Sequence, residues 1–323
     1  MSNFKKLLEI IKHEKDVYIQ PHNFPDPDGI GAAFALCELI KLHGVNATIY
    51  YFGTLQRSIM VSMIENMDID IHATETPVLN ENDPVIVVDC SPSNSNVMNL
   101  GGKIVGVIDH HEFITDIDYP FTDIRPDVGS TSTIIASYYF ELNIEPKKDV
   151  ATALAVGLNI DTGYLTRKIT KFDLEVYSKL VDYIDIDTMR FIIINNLEIK
   201  DLEYIRIALD NYRTRNAFLM ANAGDNQESN FTGIISDFFL SIKEIDFVVI
   251  YTVINSGIIL SVRNLKPEWN AAKIVQSALE GLGTGGGHKH MAGGFIKFAD
   301  TVQPIDEKHL FEKFCKALYP EEE

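Results

Sequence analysis

Short apolar runs alternate with helical patterns through the first half of the chain, and this alternation restricts the fold more than any other feature. Strand-like runs occur at 16–20, 47–52, 84–88 and 103–108, and helical patterns occur at 29–43 and 57–66. The runs at 84–88 and 103–108 are almost purely apolar, as expected for strands buried on both faces of a parallel sheet. The alternation therefore predicts an α/β domain with a doubly wound, mainly parallel sheet.

The pattern changes twice further along the chain. Residues 130–197 are mainly helical, with Ser130 or Thr131 as a helix cap, and 198–215 has the spacing of a connecting helix. The following residues are β-rich, with predicted strands at 217–220, 231–235, 246–254, 257–262 and 294–298 and a hairpin turn at 255–257. We predict a first domain over 1–195, a connecting helix over 196–215 and a smaller α+β domain over 216–323.

Composition and charge narrow the class of protein. The chain has 323 residues, of which 46% are hydrophobic and 23% charged, so two folded domains are expected and general disorder is excluded. The three cysteines are far apart, which excludes a disulfide framework and a zinc-thiolate knuckle. The net charge of −18 argues against a broad surface for long nucleic acids but allows a small phosphorylated ligand. The first sixteen residues predict an amphipathic helix rather than a signal peptide, and no run is long enough to span a membrane, so we expect a cytoplasmic protein.

Residues that can bind metal ions follow three of the predicted strands. His22, Asp26 and Asp28 follow the first strand, and Asp89 directly follows the run at 84–88. For Asp26 and Asp28 a role as helix caps is an equally good interpretation, and Asp89 taken alone is better explained as a turn residue. The combination is more informative, because consecutive parallel strands bring such ends close together.

Two further groups complete a ligand set. Adjacent histidines, His110 and His111, follow Asp109 at the end of the run at 103–108, and no turn requires them. Asp161 lies late in an apolar helix, where an aspartate is unfavourable without a partner. Two metal ions a few ångströms apart need about six ligands with one shared carboxylate. The chain supplies His22, Asp26, Asp28, Asp89, His110 and Asp161.

The series HNFPDPD, VVDCS, VIDHHE and NIDTG resembles the motifs of the DHH superfamily of phosphoesterases, which is named for Asp-His-His. The segment 283–294 contains GGGH and resembles the glycine-rich motif of the domain that accompanies the DHH domain in many members. These motifs extend from residue 22 to residue 294. The resemblance implies a phosphoesterase fold followed by a substrate-binding domain.

The resemblance also implies a role for each candidate residue. His22 and Asp26 would bind one metal ion, and Asp89 would bridge both ions. The second ion would be bound by Asp28, His110 and Asp161. His111 would contact the scissile phosphate, and Asp109 would orient a ligand histidine or the loop. Two imidazoles among carboxylates suit Mn²⁺ better than Mg²⁺, with Mg²⁺ and Co²⁺ as alternatives.

The implied reaction is an in-line attack on phosphorus by a hydroxide that bridges the two metal ions. Cys90 and Ser91 follow the bridging aspartate, but neither has a predicted base, which disfavours a covalent intermediate.

Substrate binding is expected in the second domain. Gly285, Gly286 and Gly287 lack side chains, so their backbone N–H groups can approach a phosphate or a base, although a flexible loop is the alternative. The resemblance assigns His288 to the nucleotide and Arg263 to a phosphate, while an ordinary solvated strand-end arginine stays open for Arg263. Arg167 lies one place later than the arginine of oligoribonuclease and pAp-phosphatase members, which leaves the exact substrate open.

The leading hypothesis is a two-metal phosphoesterase that acts on short 5′-phosphorylated oligoribonucleotides, linear dinucleotides such as pApA, or pAp. Its partners would be short RNA or DNA oligonucleotides or mononucleotide bisphosphates, without a membrane, and the resemblance is compatible with a homodimer. An inorganic pyrophosphatase or exopolyphosphatase of the same superfamily is the alternative, disfavoured because those pyrophosphatases lack GGGH. A non-catalytic nucleotide sensor is a third hypothesis, and it predicts a missing metal ligand.

Overall fold

The computed structural model describes residues 2–55, 58–92, 97–112, 118–195, 197–225, 231–298 and 306–320. The chain divides into two compact units, Met1–Asn196 and Leu197–Glu323. Within the described ranges, no helix has both the length and the apolar character needed to cross a membrane.

The first unit is built around a six-stranded sheet in the order β3-β2-β1-β4-β5-β6. Every neighbouring pair in it is parallel, which confirms the predicted parallel sheet. Its strands are β1 Asp16–Gln20, β2 Asn46–Phe52, β3 Ile71–Thr74, β4 Pro84–Val88, β5 Lys103–Asp109 and β6 Thr122–Ile124. Its helices are α1 Asn3–Ile11, α2 Pro27–Leu42, α3 Ser58–Met67, α4 Thr131–Glu141, α5 Lys148–Asp161, α6 Lys171–Leu180 and α7 Ile186–Ile194, with a 3₁₀ turn at Val181–Tyr183.

The core of this unit places the candidate ligands. Ile19, Ile49 and Ile86 on one face of the sheet pack into a large cluster with the buried sides of α2, α4 and α5. Strands β1, β4 and β5 are neighbours, so their carboxyl ends meet at one edge of the sheet. Helices α2 and α5 approach so closely that a Cβ on Gly31 would lie 2.6 Å from the Ala153 carbonyl oxygen. The beginning of α2 and the end of α5 therefore lie next to the strand ends.

The second unit contains a mixed six-stranded sheet in the order β11-β12-β10-β9-β8-β7. Its strands are β7 Arg213–Arg215, β8 Phe218–Asp225, β9 Phe247–Ile254, β10 Gly257–Asn264, β11 Thr284–Gly287 and β12 Met291–Lys297. Its helices are α8 Asp201–Asn211, α9 Phe231–Leu240, α10 Ala271–Ala278 and α11 Glu307–Leu318. Strands β9 and β10 form the hairpin predicted from the turn at 255–257.

Three elements of this unit differ from the sequence prediction. The predicted strand at 231–235 is the start of α9, because Phe231, Ile235 and Phe239 recur at helical spacing and are buried on one face. The segment 196–215 is not one helix, since it contains the shorter α8, which packs on β8, and then β7. The glycines at 285–287 form the edge strand β11 rather than a loop.

Candidate metal centre

The predicted ligands of the first unit converge on Asp89. Ligand atoms of His22, Asp26 and Asp89 all lie within 4.8 Å of one another, and so do those of Asp28, His110 and Asp161. Asp89 joins the two groups, because its Oδ2 lies 3.8 Å from His22 Nε2 and its Oδ1 lies 3.6 Å from His110 Nε2. His110 Nε2 is also 3.2 Å from Asp161 Oδ2. The fold thus brings together residues that are far apart in the sequence.

Both candidate imidazole ligands are held in a tautomer that suits a metal ion. His22 Nδ1 lies 2.9 Å from the Asn23 carbonyl oxygen, and His110 Nδ1 lies 3.3 Å from the Val128 carbonyl oxygen. A carbonyl oxygen only accepts, so in each ring Nδ1 carries the proton and Nε2 keeps its lone pair. These Nε2 atoms are the ones that face the carboxylates.

Asp26 and Asp28 bind backbone amides through separate helices. Asp26 is the N-cap of α2, and its Oδ1 accepts from the amides of Asp28 and Gly29 at 2.9 and 3.0 Å. The helix-cap interpretation is therefore correct for Asp26. Asp28 instead accepts from the start of α4, from Thr131 N–H at 2.7 Å and Ser132 N–H at 2.9 Å. A carboxylate has about four lone-pair positions, so both residues keep acceptor capacity for a cation.

Asp89 has an unusual backbone conformation. Its φ is 60°, in the left-handed region that asparagine and aspartate tolerate better than most residues. Its Oδ1 accepts from the Thr131 hydroxyl at 2.9 Å, and the side chain is almost fully buried. A turn alone does not require a buried carboxylate between two histidines, and strained conformations of this kind persist mainly where the surroundings impose them.

The cluster concentrates negative charge away from water. Burial and the neighbouring Asp26 charge raise the pKa of Asp28 to about 6. Burial together with the charges of Asp28 and Asp26 raises the pKa of Asp161 to about 8 and raises that of Asp89 well above its usual range. Burial lowers the pKa of His110 to about 4, which keeps that imidazole neutral. The neutral His110 imidazole beside carboxylates that resist ionisation fits a site for divalent cations.

His111 and Asp109 form a separate pair beside the cluster. Asp109 Oδ1 accepts from the His111 backbone N–H at 3.1 Å and lies 2.9 Å from His111 Nδ1. Burial lowers the pKa of His111, but the hydrogen bond and charge of Asp109 outweigh it and raise the pKa overall. Asp109 Oδ2 is buried and has no hydrogen-bond partner among the described residues. This pair orients a ring whose Nε2 can meet a ligand.

Sequence reasoning missed three residues around the centre. Thr131 and Ser132 start α4 and bind the carboxylates described above. Lys168 donates from Nζ to the His110 carbonyl oxygen at 3.4 Å, whereas the predicted Arg167 donates from Nη2 to the Asp161 carbonyl oxygen at 3.0 Å. The sequence near Thr131 indicates only a helix cap. A single lysine such as Lys168 belongs to no sequence motif that would indicate a role at the centre.

The substrate residues predicted for the second unit lie around the hairpin of β11 and β12. Gly285 and Gly286 pair with Gly294 and Gly293, and Gly287 has a φ of 140°. The His288 N–H donates to the Met291 carbonyl oxygen at 2.6 Å, which closes the turn.

Arg263 on β10 faces Met291 in the ladder, so it lies beside this turn. Its guanidinium is engaged, since Nε donates to Asp237 Oδ1 at 2.7 Å and Nη1 donates to Ser261 Oγ at 3.1 Å. The interpretation as a solvated strand-end arginine is wrong, because the side chain is only 15% exposed.

The fold and the cluster define a two-unit α/β protein with a candidate dinuclear metal centre in its first unit. Family models identify both parts, because residues 16–158 match the DHH family, N-terminal domain, and residues 216–316 match the DHHA1 domain. The chain belongs to the DHH superfamily.

Curated relatives differ in the names they carry. An uncharacterized protein of Methanocaldococcus jannaschii is 29% identical over 97% of this chain and 65% of its own length. A protein of Clostridium acetobutylicum, named a probable manganese-dependent inorganic pyrophosphatase, is 33% identical over 55% of this chain and 58% of its own length. A Streptococcus mutans protein, named a probable bifunctional oligoribonuclease and PAP phosphatase, is 28% identical over 57% of each chain. The chain thus spans less than two thirds of the length of these relatives.

A solved structure shares the whole architecture. The exopolyphosphatase-related protein from Bacteroides fragilis superimposes with a TM-score of 0.76 at 18% identity, covering 98% of this chain and 96% of its own. At this level of identity the likeness establishes the fold and leaves the reaction open.

Proposed function

We propose that the chain is a metal-dependent phosphoesterase that hydrolyses short nucleotides: 5′-phosphorylated oligoribonucleotides, linear dinucleotides such as pApA, or pAp. The observation that carries the proposal is the pair of ligand groups meeting at Asp89. Hydrolysis adds water across a P–O bond, so it needs an activated water and compensation for charge on the phosphoryl oxygens. Two divalent cations, with Mn²⁺ preferred, would supply both effects when bound by these residues.

The chain's own groups contribute positioning and charge. Asp109 fixes the His111 ring through Nδ1, and Nε2 of the protonated ring would donate to a phosphoryl oxygen. A protonated ring is favoured by the neighbouring carboxylate, in keeping with the raised pKa of His111. Thr131 and Ser132 hold two of the candidate ligands through α4, so the carboxylates need little rearrangement to accept cations.

The second unit supports a nucleotide rather than pyrophosphate as the substrate. Its match to the DHHA1 domain includes the β11–β12 hairpin. Among the described residues, no atom lies within 4 Å of the position that a Cβ of Gly286 would occupy, so a ligand can approach this backbone closely. We assign nucleotide contacts to His288, to Gly285, Gly286 and Gly287, and to Arg263 with Asp237 as its orienting partner. Arg167 is proposed as a further cation near the reacting phosphate, because its Nη2 donates to the carbonyl oxygen of the candidate ligand Asp161 at 3.0 Å.

An inorganic pyrophosphatase or exopolyphosphatase is the second candidate, favoured by the name of the Clostridium acetobutylicum relative. A panel of substrates separates the candidates: pAp, pApA, a 5′-labelled RNA ladder from two to about twenty-four nucleotides, pyrophosphate and polyphosphate, each with Mn²⁺. We expect turnover of pAp and of the shortest oligonucleotides. Turnover confined to pyrophosphate or polyphosphate would overturn the nucleotide assignment, and no turnover of any phosphate substrate would overturn the phosphoesterase itself.

A further inference from the structure

The turn that follows α5 returns to the metal centre and brings a lysine there. Residues 163–165 and Lys168 all have positive φ, with Lys168 at 48°. The turn is fastened by Thr162, whose carbonyl oxygen accepts from Arg167 N–H at 2.8 Å and from Thr166 N–H at 3.1 Å. Lysine rarely adopts a left-handed backbone, so its neighbours impose this conformation. The side chain of Lys168 is thereby directed toward the loop after β5.

The ammonium group of Lys168 lies at the peptide that joins the two histidines. Its Nζ donates to the His110 carbonyl oxygen at 3.4 Å. The rings of His110 and His111, on either side of this peptide, have centroids 4.2 Å apart, so the ammonium lies at the segment that carries both imidazoles. Within the part of the chain that the structure describes, this ammonium forms no ion pair with a carboxylate.

The charge balance of the centre calls for such a cation. Asp26, Asp28, Asp89 and Asp161 carry four negative charges when ionised, which two divalent cations would neutralise. A phosphoryl group then adds net negative charge that the metal ligands cannot compensate. An ammonium has three donors, so the bond to the His110 carbonyl leaves capacity for a phosphoryl oxygen. Arg167 is held by the candidate ligand Asp161 instead, through a bond from Nη2 to its carbonyl oxygen.

We propose that Lys168 binds the phosphoryl group of the substrate beside His111 and so contributes affinity for phosphate esters. The inference rests on the proposed function, because it places a phosphate at the metal centre. It adds a residue to His111 and Arg167, the phosphate contacts proposed within the first unit.

The test compares Lys168→Met with the matched control Lys171→Met. Lys171 is three residues further along, is 89% exposed and pairs with Glu175. Orthophosphate is the probe, titrated calorimetrically into full-length protein loaded with Mn²⁺. We expect Lys168→Met to weaken phosphate binding about tenfold to a hundredfold, Lys168→Arg to recover most of it, and Lys171→Met to stay within twofold of wild type. Mn²⁺ affinity should be the same in all four proteins.

Two results would overturn this inference alone. One is a Lys168→Met protein that binds orthophosphate as wild type does. The other is a parallel loss of Mn²⁺ affinity in Lys168→Met. That result would show that the lysine stabilises the loop that carries the candidate ligands and does not itself bind the phosphate. Wild-type protein that binds Mn²⁺ and Lys168-dependent orthophosphate but turns over no phosphate ester would contradict the proposed function and support the lysine contact. Failure of wild type to bind orthophosphate at any Mn²⁺ concentration would overturn both.

Discussion

At the scale of single residues, the centre buries carboxylates whose ionised forms are destabilised by burial. Asp28 and Asp89 are nearly fully buried, and both accept hydrogen bonds that favour the ionised carboxylate. Burial nevertheless raises the pKa of each, helped by the charge of Asp26 at Asp28 and by the charges of Asp28 and Asp26 at Asp89. A buried like-charge cluster is costly unless cations or protons neutralise it. The chain therefore sacrifices stability at these positions, and a metal ion would restore it.

Asp89→Asn tests this destabilisation at the central residue of the cluster. Asparagine tolerates the left-handed backbone and keeps the shape of the side chain, but it removes the charge. We expect the metal-free variant to be at least as stable as metal-free wild type, while the rise in Tm on adding Mn²⁺ is lost. Hydrolysis should fall by at least about a hundredfold, because the loss of a residue that only orients a metal ligand can already reduce activity by that factor. Scanning calorimetry with EDTA or Mn²⁺ and an activity assay give these values.

Asp68→Asn is the matched control, because Asp68 is also left-handed, with a φ of 50°, and is exposed. It should leave both the Mn²⁺ response and turnover unchanged. An Asp89→Asn protein that still gains the wild-type increase in Tm with Mn²⁺ would refute the bridging role.

The individual candidate ligands could be identified from the sequence, and the residues that support them could not. An aspartate or histidine directly after an apolar strand, such as Asp89 or His110, stands out against its surroundings. Thr131 contacts Asp28 across 103 positions of sequence, and a threonine at a helix start has an adequate local explanation. Lys168 likewise depends on where a turn returns in space. Roles that depend on long-range contacts leave no local pattern in one sequence.

At the scale of elements, the N-terminus of α4 organises the centre. Its first amides bind both oxygens of Asp28, and the Thr131 hydroxyl binds Asp89. The partial positive charge of a helix N-terminus favours carboxylates at this position. One helix thus fixes a candidate ligand from each of two loops. The separation of these two carboxylates consequently depends on how α4 packs.

Thr131→Val removes the hydroxyl but keeps the branched shape and both backbone amides. We expect it to weaken Mn²⁺ binding about tenfold to a hundredfold, because loss of a residue that orients a ligand has effects of this size. Ser137→Ala, which removes a buried hydroxyl bonded to the Ile134 carbonyl oxygen on the same helix, is the control. Titration of Mn²⁺ into both variants measures the difference. Equal affinities for the two variants would show that the hydroxyl does not orient Asp89.

The close approach of α2 and α5 is the second element-level feature of the site. A Cβ on Gly157 would lie 2.5 Å from Ser132 Oγ and 2.9 Å from the Asp28 Cα, so the helices would have to separate. We expect Gly157→Ala to reduce the free energy of unfolding by about 1–3 kcal/mol and to weaken Mn²⁺ binding with it. Gly286→Ala is the control for stability only, since no atom of the described residues lies within 4 Å of its Cβ position. Denaturant unfolding measures the stability of both variants. An undiminished free energy of unfolding in Gly157→Ala would contradict the tight packing.

Elements with a clear period were predictable, whereas short apolar segments were ambiguous. Strands β1 and β4 have the predicted bounds, because each is a short apolar run between turn-forming residues. Helix α9 begins with an apolar run whose first five residues fit a strand equally well, and only the spacing out to Phe239 identifies a helix. Strand β11 consists of threonine and glycines, whose intrinsic preference is against strands. Pairing with β12 overrides that preference.

At the scale of the whole molecule, excess negative charge and the metal centre act together. The chain carries a net charge of −18, and the cluster adds buried carboxylates that resist ionisation. Raising the pH increases repulsion across the molecule and within the centre, while cations at the centre oppose it. The stability of the protein should therefore depend on pH in opposite ways without and with metal.

The window from pH 6.5 to about 8 tests this linkage. The pKa of Asp161 is about 8 in the folded protein, raised mainly by burial, and that of an unfolded aspartate is near 3.8, so here only the folded state holds the proton. Stability from a raised pKa is present below the unfolded value and is lost as the pH rises through the folded value. The pKa of His110 is lowered to about 4, so its contribution is lost only in acid, below this window. Metal-free protein should thus lose roughly 1–2 kcal/mol of stability over the window.

Mn²⁺ should reverse this trend, because metal binding requires deprotonated carboxylates and strengthens as they ionise. We expect the difference in Tm between Mn²⁺ and EDTA samples to grow from pH 6.5 to 8, and Asp161→Asn to flatten the metal-free slope relative to wild type. Calorimetry is the appropriate measurement, because the single tryptophan, Trp269, lies in the second unit and its fluorescence would not follow the metal centre. A metal-free stability that rises with pH in this window, or a slope unchanged by Asp161→Asn, would show that these carboxylates are not the groups that couple folding to the metal.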